Sequence, residues 1–351
     1  MRSIGALAMV WGVLGVPALA QAPIIGDINF YGLRKVTPEK ILHALKLHAG
    51  DPLPGSKEDM EERMDQIPGV VLSRVEAVCC DGTKTILFIG IEERLAPHAA
   101  FRSDPAGDVV LPAELVDTYQ SFLSAVQSAA AEGHSGEDLS AGYSMMDDPR
   151  AWAFQKRFLA LVPENLKVLR EVLHNGSEPN QRAIAAALIG YEPDKAEAID
   201  ELQYALQDPD EAVRANAMRS LTAIAVLASK QPALGLRISP TWLVELLNSV
   251  VLSDRVESVK ALLALTEQTG SKANPERQAA LDLIRERALH SVVEMARWKT
   301  PRYALPPFVL ASRLAGIPYV DALQQWANGN REAVLAKALG GGGKKPGGTL
   351  Q

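Results

Sequence analysis

Few residues in this sequence could act in catalysis, and one of them is a serine in a glycine-rich segment. Gly133, Ser135 and Gly136 partly match the Gly-x-Ser-x-Gly turn that presents a nucleophilic serine between a strand and a helix. The second glycine comes one position early, and no apolar strand precedes the turn. The pattern therefore does not predict a catalytic serine.

Two adjacent carboxylates, Asp147 and Asp148, are the next candidates because paired carboxyl groups can exchange protons with a substrate. No histidine lies near them in the sequence. Pro149 follows directly, and an aspartate before a proline is typical of an N-cap followed by the first residue of a helix. We therefore expect Asp148 to begin a helix.

Patterns for metals and cofactors are also missing. Cys79 and Cys80 are the only cysteines, too few for a disulfide framework. The glycine run before Lys344 lacks the Ser or Thr, the strand and the helix of a phosphate-binding loop. The histidines lie in unrelated segments without metal-ligand spacing, at His43, His48, His98, His134, His174 and His290. The sequence thus predicts no catalytic residue, no metal, no cofactor and no enzyme.

The first residues have the pattern of an export signal. Arg2 gives a short positive region, residues 4–16 are apolar, and Ala20 and Ala22 fit the small-x-small rule for signal peptidase. A spanning helix needs about 20 apolar residues, more than this interrupted run offers. We expect a signal peptide over residues 1–22, cleaved near Ala22, with a retained anchor as the alternative. The mature chain is then periplasmic or secreted.

The charge of the chain argues against nucleic acid as the main partner. The net charge is −6, and loss of Arg2 with the leader makes it −7. Acidic and basic residues are interspersed, without the basic patch that phosphate binding needs. No later segment has the length of a membrane span, which leaves only peripheral membrane association open.

Residues 24–93 have the pattern of a small α+β domain. An alternating run from Ile24 to Phe30 predicts a strand, and two short helices follow, capped by Thr37 and Ser56. From Val70 the apolar period becomes two, and Asp81 with Gly82 is a strong hairpin signal. The predicted order is strand, helix, helix, strand, strand.

This pattern resembles the POTRA (polypeptide-transport-associated) domain, a family of domains outside the inner membrane that bind other polypeptides. The matching positions are Ile28, Phe30, Gly32, Val36, Ile41, Leu45, Gly50, Asp51, Leu53, Ile67, Gly69, Val75, Gly82, Ile89 and Glu92. The resemblance implies that the domain binds envelope proteins or peptides by adding a strand to an exposed sheet edge. Family members usually carry several such domains or a membrane barrel, whereas the sequence here has one copy.

The candidate edge is the strand from Val71 to Cys79. An edge strand offers unpaired N–H and C=O groups to a partner strand. Its residues on one face are the candidate partner-binding residues Val71, Ser73, Val75, Ala77 and Cys79.

Residues 94–160 are predicted to be a linker that contains one helix. Its first part, up to Pro112, has three prolines and no periodicity. Leu115, Tyr119, Phe122 and Val126 then share one helical face, which predicts a helix that ends at Gly133.

Residues 161–339 contain a repeated signature. Asp208, Val213 and Arg214 align with Asp254, Val259 and Lys260 at a shift of 46 residues, and Arg182 aligns with Arg214 at a shift of 32. Alanines at recurring positions allow helices to stack closely. A turn aspartate followed by Val-Arg or Val-Lys is similar to HEAT repeats of the armadillo-like superfamily. We expect the basic residue to pair with a turn carboxylate of its own or the next unit, while a non-repetitive bundle is the alternative.

The predicted architecture is a small α+β N-terminal domain (β-α-α-β-β) followed by an all-α helical-repeat solenoid. Its hairpins cover about residues 163–190, 195–228, 240–269 and 275–315, before a helical cap and a disordered Gly-rich tail at 340–351. Proline positions, including Pro163, suggest the helix starts.

These features predict a non-enzymatic adaptor that binds envelope proteins or peptides through the sheet edge and the repeat surface. One alternative is a structural protein that binds cell wall or lipoprotein peptides through exposed Trp242, Trp298 or Trp326. Another is an accessory hydrolase whose site is assembled across domains from Ser135, the two aspartates and histidines.

Overall fold

The computed structural model of the protein describes residues 22–268 and 275–340. Within these ranges the chain is mostly helical, with a small sheet near its N-terminal end. The predicted leader apart from Ala22, and the tail beyond Gly340, lie outside the described residues.

The N-terminal part has the predicted order of elements. They are β1 (Ile25–Tyr31), α1 (Pro38–Leu45), α2 (Lys57–Asp65), β2 (Val70–Asp81) and β3 (Lys84–Glu93). Ser56 caps α2, since its hydroxyl accepts a hydrogen bond from the Asp59 N–H at 3.0 Å. Gly82 closes the hairpin with a φ of 61°, which a glycine adopts without strain.

Strand β3 is the centre of the sheet, with β1 parallel on one side and β2 antiparallel on the other. Successive side chains of a strand point to opposite faces. Leu87, Ile89 and Ile91 pack with α1 and α2 in a small core, whereas Ile86 and Phe88 belong to the core of the helical part. Both faces of β3 are therefore covered.

A buried carboxylate holds the loop between β1 and α1. Glu93 accepts hydrogen bonds from the N–H groups of Arg34, Lys35 and Val36 at 2.6 to 2.9 Å. Burial alone would raise the pKa of Glu93, but these three donors outweigh it and lower the pKa. The end of β3 thereby fixes the entry to α1.

The rest of the described chain is built from helices and one very short hairpin, β4 (Glu137–Asp138) with β5 (Met145–Met146). The helices are α3 (Ala113–Ala131), α4 (Pro149–Asn175), α5 (Pro179–Ile189), α6 (Lys195–Ala205), α7 (Glu211–Lys230), α8 (Thr241–Leu246), α9 (Leu252–Leu265), α10 (Pro275–Arg287), α11 (Leu289–Ala296), α12 (Pro301–Leu314), α13 (Tyr319–Ala327) and α14 (Arg331–Gly340). Helix α7 packs between α5 and α9, and α9 contacts α12. We call these four helices the second-helix layer.

The start of the helical stack differs from the prediction. Helix α4 begins at Pro149 and runs through Pro163, so the boundary predicted at residues 160 and 161 falls inside it. The prediction that Pro163 starts a helix is wrong, because Pro163 lies inside α4. Proline is common in the first turn of a helix, but a long helix can also contain one with the loss of a hydrogen bond. The predicted cap at Asp148 is correct, since its carboxylate accepts hydrogen bonds from the Arg150 and Ala151 N–H groups.

Buried arginines join consecutive hairpins. Arg182 at the start of α5 donates to both carboxylate oxygens of Asp208, before α7, at 2.9 Å each. Arg214 of α7 donates in the same way to Asp254 of α9, at 2.9 and 2.8 Å. All four side chains are buried. The pairs therefore tie each unit to the next through bidentate, charge-assisted hydrogen bonds.

A third arginine extends this series to the sheet. Arg255 of α9 lies 3.5 Å from the Glu294 carboxylate of α11 and 4.8 Å from the centre of the Tyr31 ring. Glu294 in turn accepts hydrogen bonds from the N–H groups of Gly32 and Leu33, at 2.8 and 3.2 Å. We call the three arginines and their carboxylate partners the ladder.

The hydrogen bonds also correct the alignment of the repeats. Arg182 and Arg214 each donate to the carbonyl oxygen six residues upstream, and Arg255 does the same. Lys260, which the alignment placed opposite Arg214, is exposed and pairs with Glu257 instead. Asp254 accepts from the preceding unit as Asp208 does, but it lies on its helix and not in the turn. Aligning Asp208 with Asp254 therefore makes Lys260 the equivalent of Arg214, whereas the hydrogen bonds show that Arg255 is its equivalent.

The first part of the predicted linker packs along the stack, and we call residues 96–112 the strap. The N–H of Arg102 donates to the Gln207 carbonyl in the turn after α6 at 2.9 Å, and that of Gly107 donates to the carbonyl at the end of α4 at 2.8 Å. Phe101 lies against Arg214, whose guanidinium carbon is 3.9 Å from the ring centre. The strap thus covers one side of the ladder.

The sheet and the helices share one interface. Trp298 donates from its indole nitrogen to the Phe30 carbonyl at 2.9 Å, and the Tyr31 hydroxyl donates to a carbonyl in the α8–α9 turn at 3.0 Å. The Phe88 ring lies 5.0 Å from the rings of both Trp298 and Tyr303. An isolated sheet fragment would expose these apolar groups to water.

Loss of one ladder arginine should destabilise the whole protein. Arg214→Met leaves Asp254 buried without its ion pair, so we expect the free energy of unfolding to fall by about 3–5 kcal/mol. Lys260→Met is the control, with an expected loss below about 1 kcal/mol because its ion pair is exposed. Guanidinium chloride unfolding, followed by circular dichroism, measures both. Equal effects would contradict the alignment of Arg214 with Arg255.

Truncation of the interface tryptophan should loosen the sheet from the stack. Trp298 is 3% exposed, so Trp298→Ala should lower the free energy of unfolding by about 3–5 kcal/mol. The control is Trp152→Ala, because Trp152 is 40% exposed. The same denaturant titration applies, and a loss at Trp298 no larger than at Trp152 would show that the interface contributes little.

Candidate protein-interaction surfaces

The predicted docking strand, β2, lies at an edge of the sheet. Three of its outward backbone groups already have side-chain partners. The Val75 N–H donates to Glu61 at 2.8 Å, the Ser73 carbonyl accepts from Arg74 at 2.9 Å, and the Cys79 carbonyl accepts from Arg302 at 2.8 Å. Side chains that cap an edge in this way hinder the addition of another strand.

The five candidate side chains of this strand are not equivalent. Ser73 and Val75 are buried against α2, where the Ser73 hydroxyl donates to Asp65 at 2.7 Å. Val71, Ala77 and Cys79 are exposed, and Cys79 is not a free thiol. The accessible edge is therefore narrower than predicted and is centred on Ala77.

A second surface is a cavity of about 320 Å³ on the second-helix layer. It is bounded by α3, α4, α5, α7, α9 and the β4–β5 hairpin. Five aromatic side chains line it, namely Tyr119, Phe122, Tyr143, Phe158 and Tyr191. Neighbouring ring centres in this group are 5.3 to 6.3 Å apart. We call this site the aromatic cavity.

Hydrogen bonds from α4 hold one wall of the aromatic cavity in place. Gln155, which is fully buried, donates to the Ser144 carbonyl at 2.8 Å and to the Tyr191 hydroxyl at 2.9 Å. Its own carbonyl accepts from the Met146 N–H at 2.7 Å. Burial raises the pKa of Tyr191 and of Tyr119, so both hydroxyls stay neutral at physiological pH. The β4–β5 hairpin is thereby pinned to the stack.

The rim of the aromatic cavity carries charged and polar groups. Lys260 pairs with Glu257 at 2.7 Å, and Glu137 accepts a hydrogen bond from the Ser144 hydroxyl at 2.6 Å. Arg219 is exposed on α7 and forms no ion pair within the described residues. An apolar floor with a few polar groups at its edge is typical of a binding pocket.

A further cavity of about 500 Å³ lies on the same layer between α7, α9, α12 and α13. Most of its lining is aliphatic, and the other side chains are those of Tyr319, Ser229, Lys230, Glu267 and Arg313. Its arginine, Arg313, is already used, since it donates to the Leu263 carbonyl and pairs with Glu267. This cavity therefore extends the apolar surface, and Lys230 in its lining is exposed and forms no ion pair within the described residues.

The structure does not bring the candidate catalytic residues into one hydrogen-bonded site. Ser135 and Asp147 lie on the same hairpin segment, where the Asp147 N–H donates to the Gly136 carbonyl at 2.9 Å. The Asp148 carboxylate accepts hydrogen bonds from the Arg150 N–H at the helix start and from the Arg150 guanidinium. His174 pairs with Glu201. In residues 22–268 and 275–340, no group of His, Cys, Asp and Glu could hold a metal ion.

The tryptophans do not form the exposed binding surface of the cell-wall alternative. Trp298 is buried in the interface between the sheet and the stack, and Trp242 and Trp326 are half-buried. No helix in the described part of the chain is long and apolar enough to span a membrane.

Comparison with known proteins supports the helical-repeat part of the prediction. Residues 166–250 match the family model of HEAT repeats. The helical-repeat prediction is confirmed. This stretch contains α5, α6, α7 and α8, with two of the ladder arginines.

Two solved structures of designed armadillo repeat proteins are similar to the chain. One was computationally designed for modular peptide recognition, with 17% identity and a TM-score of 0.37. The other was solved in complex with the peptide (KR)4, with 19% identity and a TM-score of 0.38. Each match covers 65% of this chain and 99% of the other. No curated protein shows significant similarity to the chain.

The helix cap beside the aromatic cavity should contribute stability that depends on pH. The Arg150 guanidinium beside Asp148 lowers the pKa of that carboxyl from 3.8 to about 2. The ionised cap therefore stabilises the fold fully above the unfolded-state pKa, and this contribution is lost as the pH falls towards 2.

Asp148→Asn tests this contribution because asparagine can still cap the helix without a charge. The difference in free energy of unfolding from the native protein should be constant above pH 5 and should vanish near pH 2. When Arg150 is replaced by Gln, the effect of Asp148→Asn on the free energy of unfolding should become smaller, because the guanidinium that lowers the pKa of Asp148 is gone. A difference that does not change between pH 5 and pH 2 would contradict the assignment.

Proposed function

We propose that this protein is an exported, non-enzymatic adaptor that binds polypeptide partners in the cell envelope. The observation that carries the proposal is the aromatic cavity, which combines an aromatic floor with polar rim groups on a HEAT-repeat surface. Aromatic residues in a partly enclosed pocket are typical of the centre of a protein interface. Export rests on the leader pattern, and the envelope on that pattern with the POTRA resemblance.

The two surfaces have different roles in this proposal. The aromatic cavity holds the main anchor of the partner. The accessible edge of β2 near Ala77 is a secondary site, since a partner strand there must first displace Arg302 from the Cys79 carbonyl. A POTRA-like mode of binding would use this edge. The side chains bonded to its neighbouring backbone groups hinder nonspecific addition of other strands.

Site-specific photo-crosslinking of the full chain in its own host tests the proposal. A photoreactive residue replaces Leu123, at the mouth of the aromatic cavity, or Ala77, at the sheet edge. The control position is Lys40, an exposed residue of α1. We expect defined adducts with envelope proteins at Leu123 and weaker ones at Ala77. Absence of adducts at both positions, or equal adducts at Lys40, would contradict the adaptor function.

Substitutions then assign the two surfaces. Phe122→Ala should reduce the yield of the Leu123 adduct at least about tenfold, because interface centres of this kind often contribute about 2 kcal/mol. Arg302→Ala frees the Cys79 carbonyl for a partner strand and should raise only the Ala77 adduct. Val320→Ser is the matched control, since Val320 is 74% exposed and lies outside the aromatic cavity. Circular dichroism checks that each variant is folded.

A further inference from the structure

We infer that the aromatic cavity takes a large apolar side chain of a partner peptide whose neighbouring residue is acidic, and that Arg219 pairs with that carboxylate. This inference rests on the proposed function and specifies the chemistry of the partner at the same site. It follows from the size of the cavity, from the rings that line it and from the charges at its rim.

The size of the aromatic cavity fits one large side chain and a short piece of backbone. An enclosed cavity of about 150 Å³ is enough to hold a benzene ring. The aromatic cavity, at about 320 Å³, has room for such a ring and the adjoining peptide group. Its open side at Leu123, which is 47% exposed, gives the ring a way in from solvent.

The walls favour an aromatic or branched aliphatic group. Phe122 and Phe158 already meet edge to face at 5.5 Å, as do Phe158 and Tyr191 at 5.3 Å. A further ring can continue this packing, because aromatic pairs prefer edge-to-face or offset geometry. Phe122 and Tyr143 are only half-buried, so an incoming side chain would remove their remaining apolar surface from water.

The charges at the rim select the neighbouring residue of the peptide. Lys260 is neutralised by Glu257, whereas Arg219 has no ion pair in the described part of the chain. Arg219 lines the same cavity as Tyr119 and Tyr191. A carboxylate next to the apolar anchor would therefore meet an unpaired cation.

Glu137 favours a peptide over a small free anion at this site. Its carboxylate lies on the wall of the aromatic cavity, where its hydrogen-bond partner is the Ser144 hydroxyl. A free anion would be repelled by this group. A peptide N–H could instead donate to it while the acidic side chain reaches Arg219, so both charges would be satisfied by one ligand.

Four short peptides titrated into the mature full-length chain test the inference. They are acetylated, amidated hexapeptides of the form Gly-Gly-X-Z-Gly-Gly, in which X-Z is Asp-Phe, Asn-Phe, Lys-Phe or Asp-Ala. Binding is measured by changes in the NMR spectrum at low salt. We expect Asp-Phe to bind about fivefold more tightly than Asn-Phe, as an exposed ion pair allows, and Asp-Ala to bind at least about tenfold more weakly than Asp-Phe.

Variants at Arg219 separate the charge from the apolar anchor. Arg219→Gln should bring the Asp-Phe to Asn-Phe affinity ratio to one, and Arg219→Glu should make Lys-Phe the tightest ligand. Arg237→Gln is the matched control, because Arg237 is exposed and pairs with Glu276 away from the aromatic cavity. In 0.5 M NaCl the ratio for the native protein should fall towards one as the pair is screened.

The outcomes distinguish this inference from the proposed function. Equal binding of Asp-Phe, Asn-Phe and Lys-Phe, or an Asp-Phe preference that Arg219→Gln leaves intact, overturns the inference alone. Absence of binding by Asp-Phe at millimolar concentration also overturns it. The adaptor function is tested separately: it fails if photo-crosslinking gives no adducts at Leu123 and Ala77, or equal adducts at Lys40.

Discussion

The ladder of buried arginines and carboxylates is the constraint on which the rest of the structure depends. A buried guanidinium is costly unless every charge has a partner, and here the partners belong to the next unit of the chain. Arg182 binds Asp208, Arg214 binds Asp254, and Arg255 reaches Glu294. No unit can satisfy its arginine alone, so the hairpins must stack in one register.

The last rung of the ladder also fixes the N-terminal sheet. Glu294 receives two backbone N–H groups from the turn after β1, and Tyr31 lies beside Arg255. The strap covers the opposite end, where Asp104 is 3.4 Å from Arg182. Sheet, strap and helices are therefore held by one set of contacts. These contacts hold α3, α4, the β4–β5 hairpin and the turn after α5 together, so that their five aromatic side chains form one cavity.

Local chemistry was predictable from the sequence, and long-range assembly was not. Asp148 before Pro149, Ser56 before α2 and Gly82 in the hairpin act within a few residues, and each was assigned correctly. The repeat signature predicts that Arg214 pairs with a carboxylate of its own or the next unit, and the structure shows the next unit. The same signature makes Lys260 the equivalent of Arg214, which is wrong because Asp254 lies on a helix and not in a turn.

The interaction surfaces were harder to predict because they depend on tertiary contacts. Residues 96–112 looked like a linker since their hydrogen-bond partners are far away in sequence. Tyr119 and Phe122 were placed on one helical face, but nothing local related them to Phe158 or Tyr191.

The role of β3 in joining sheet and stack is testable by native-state hydrogen exchange. The ladder predicts that the amides of Leu87 and Phe88 open with the same free energy as those of Ala217 and Leu221, whereas sheet amides that open several-fold more readily would contradict it.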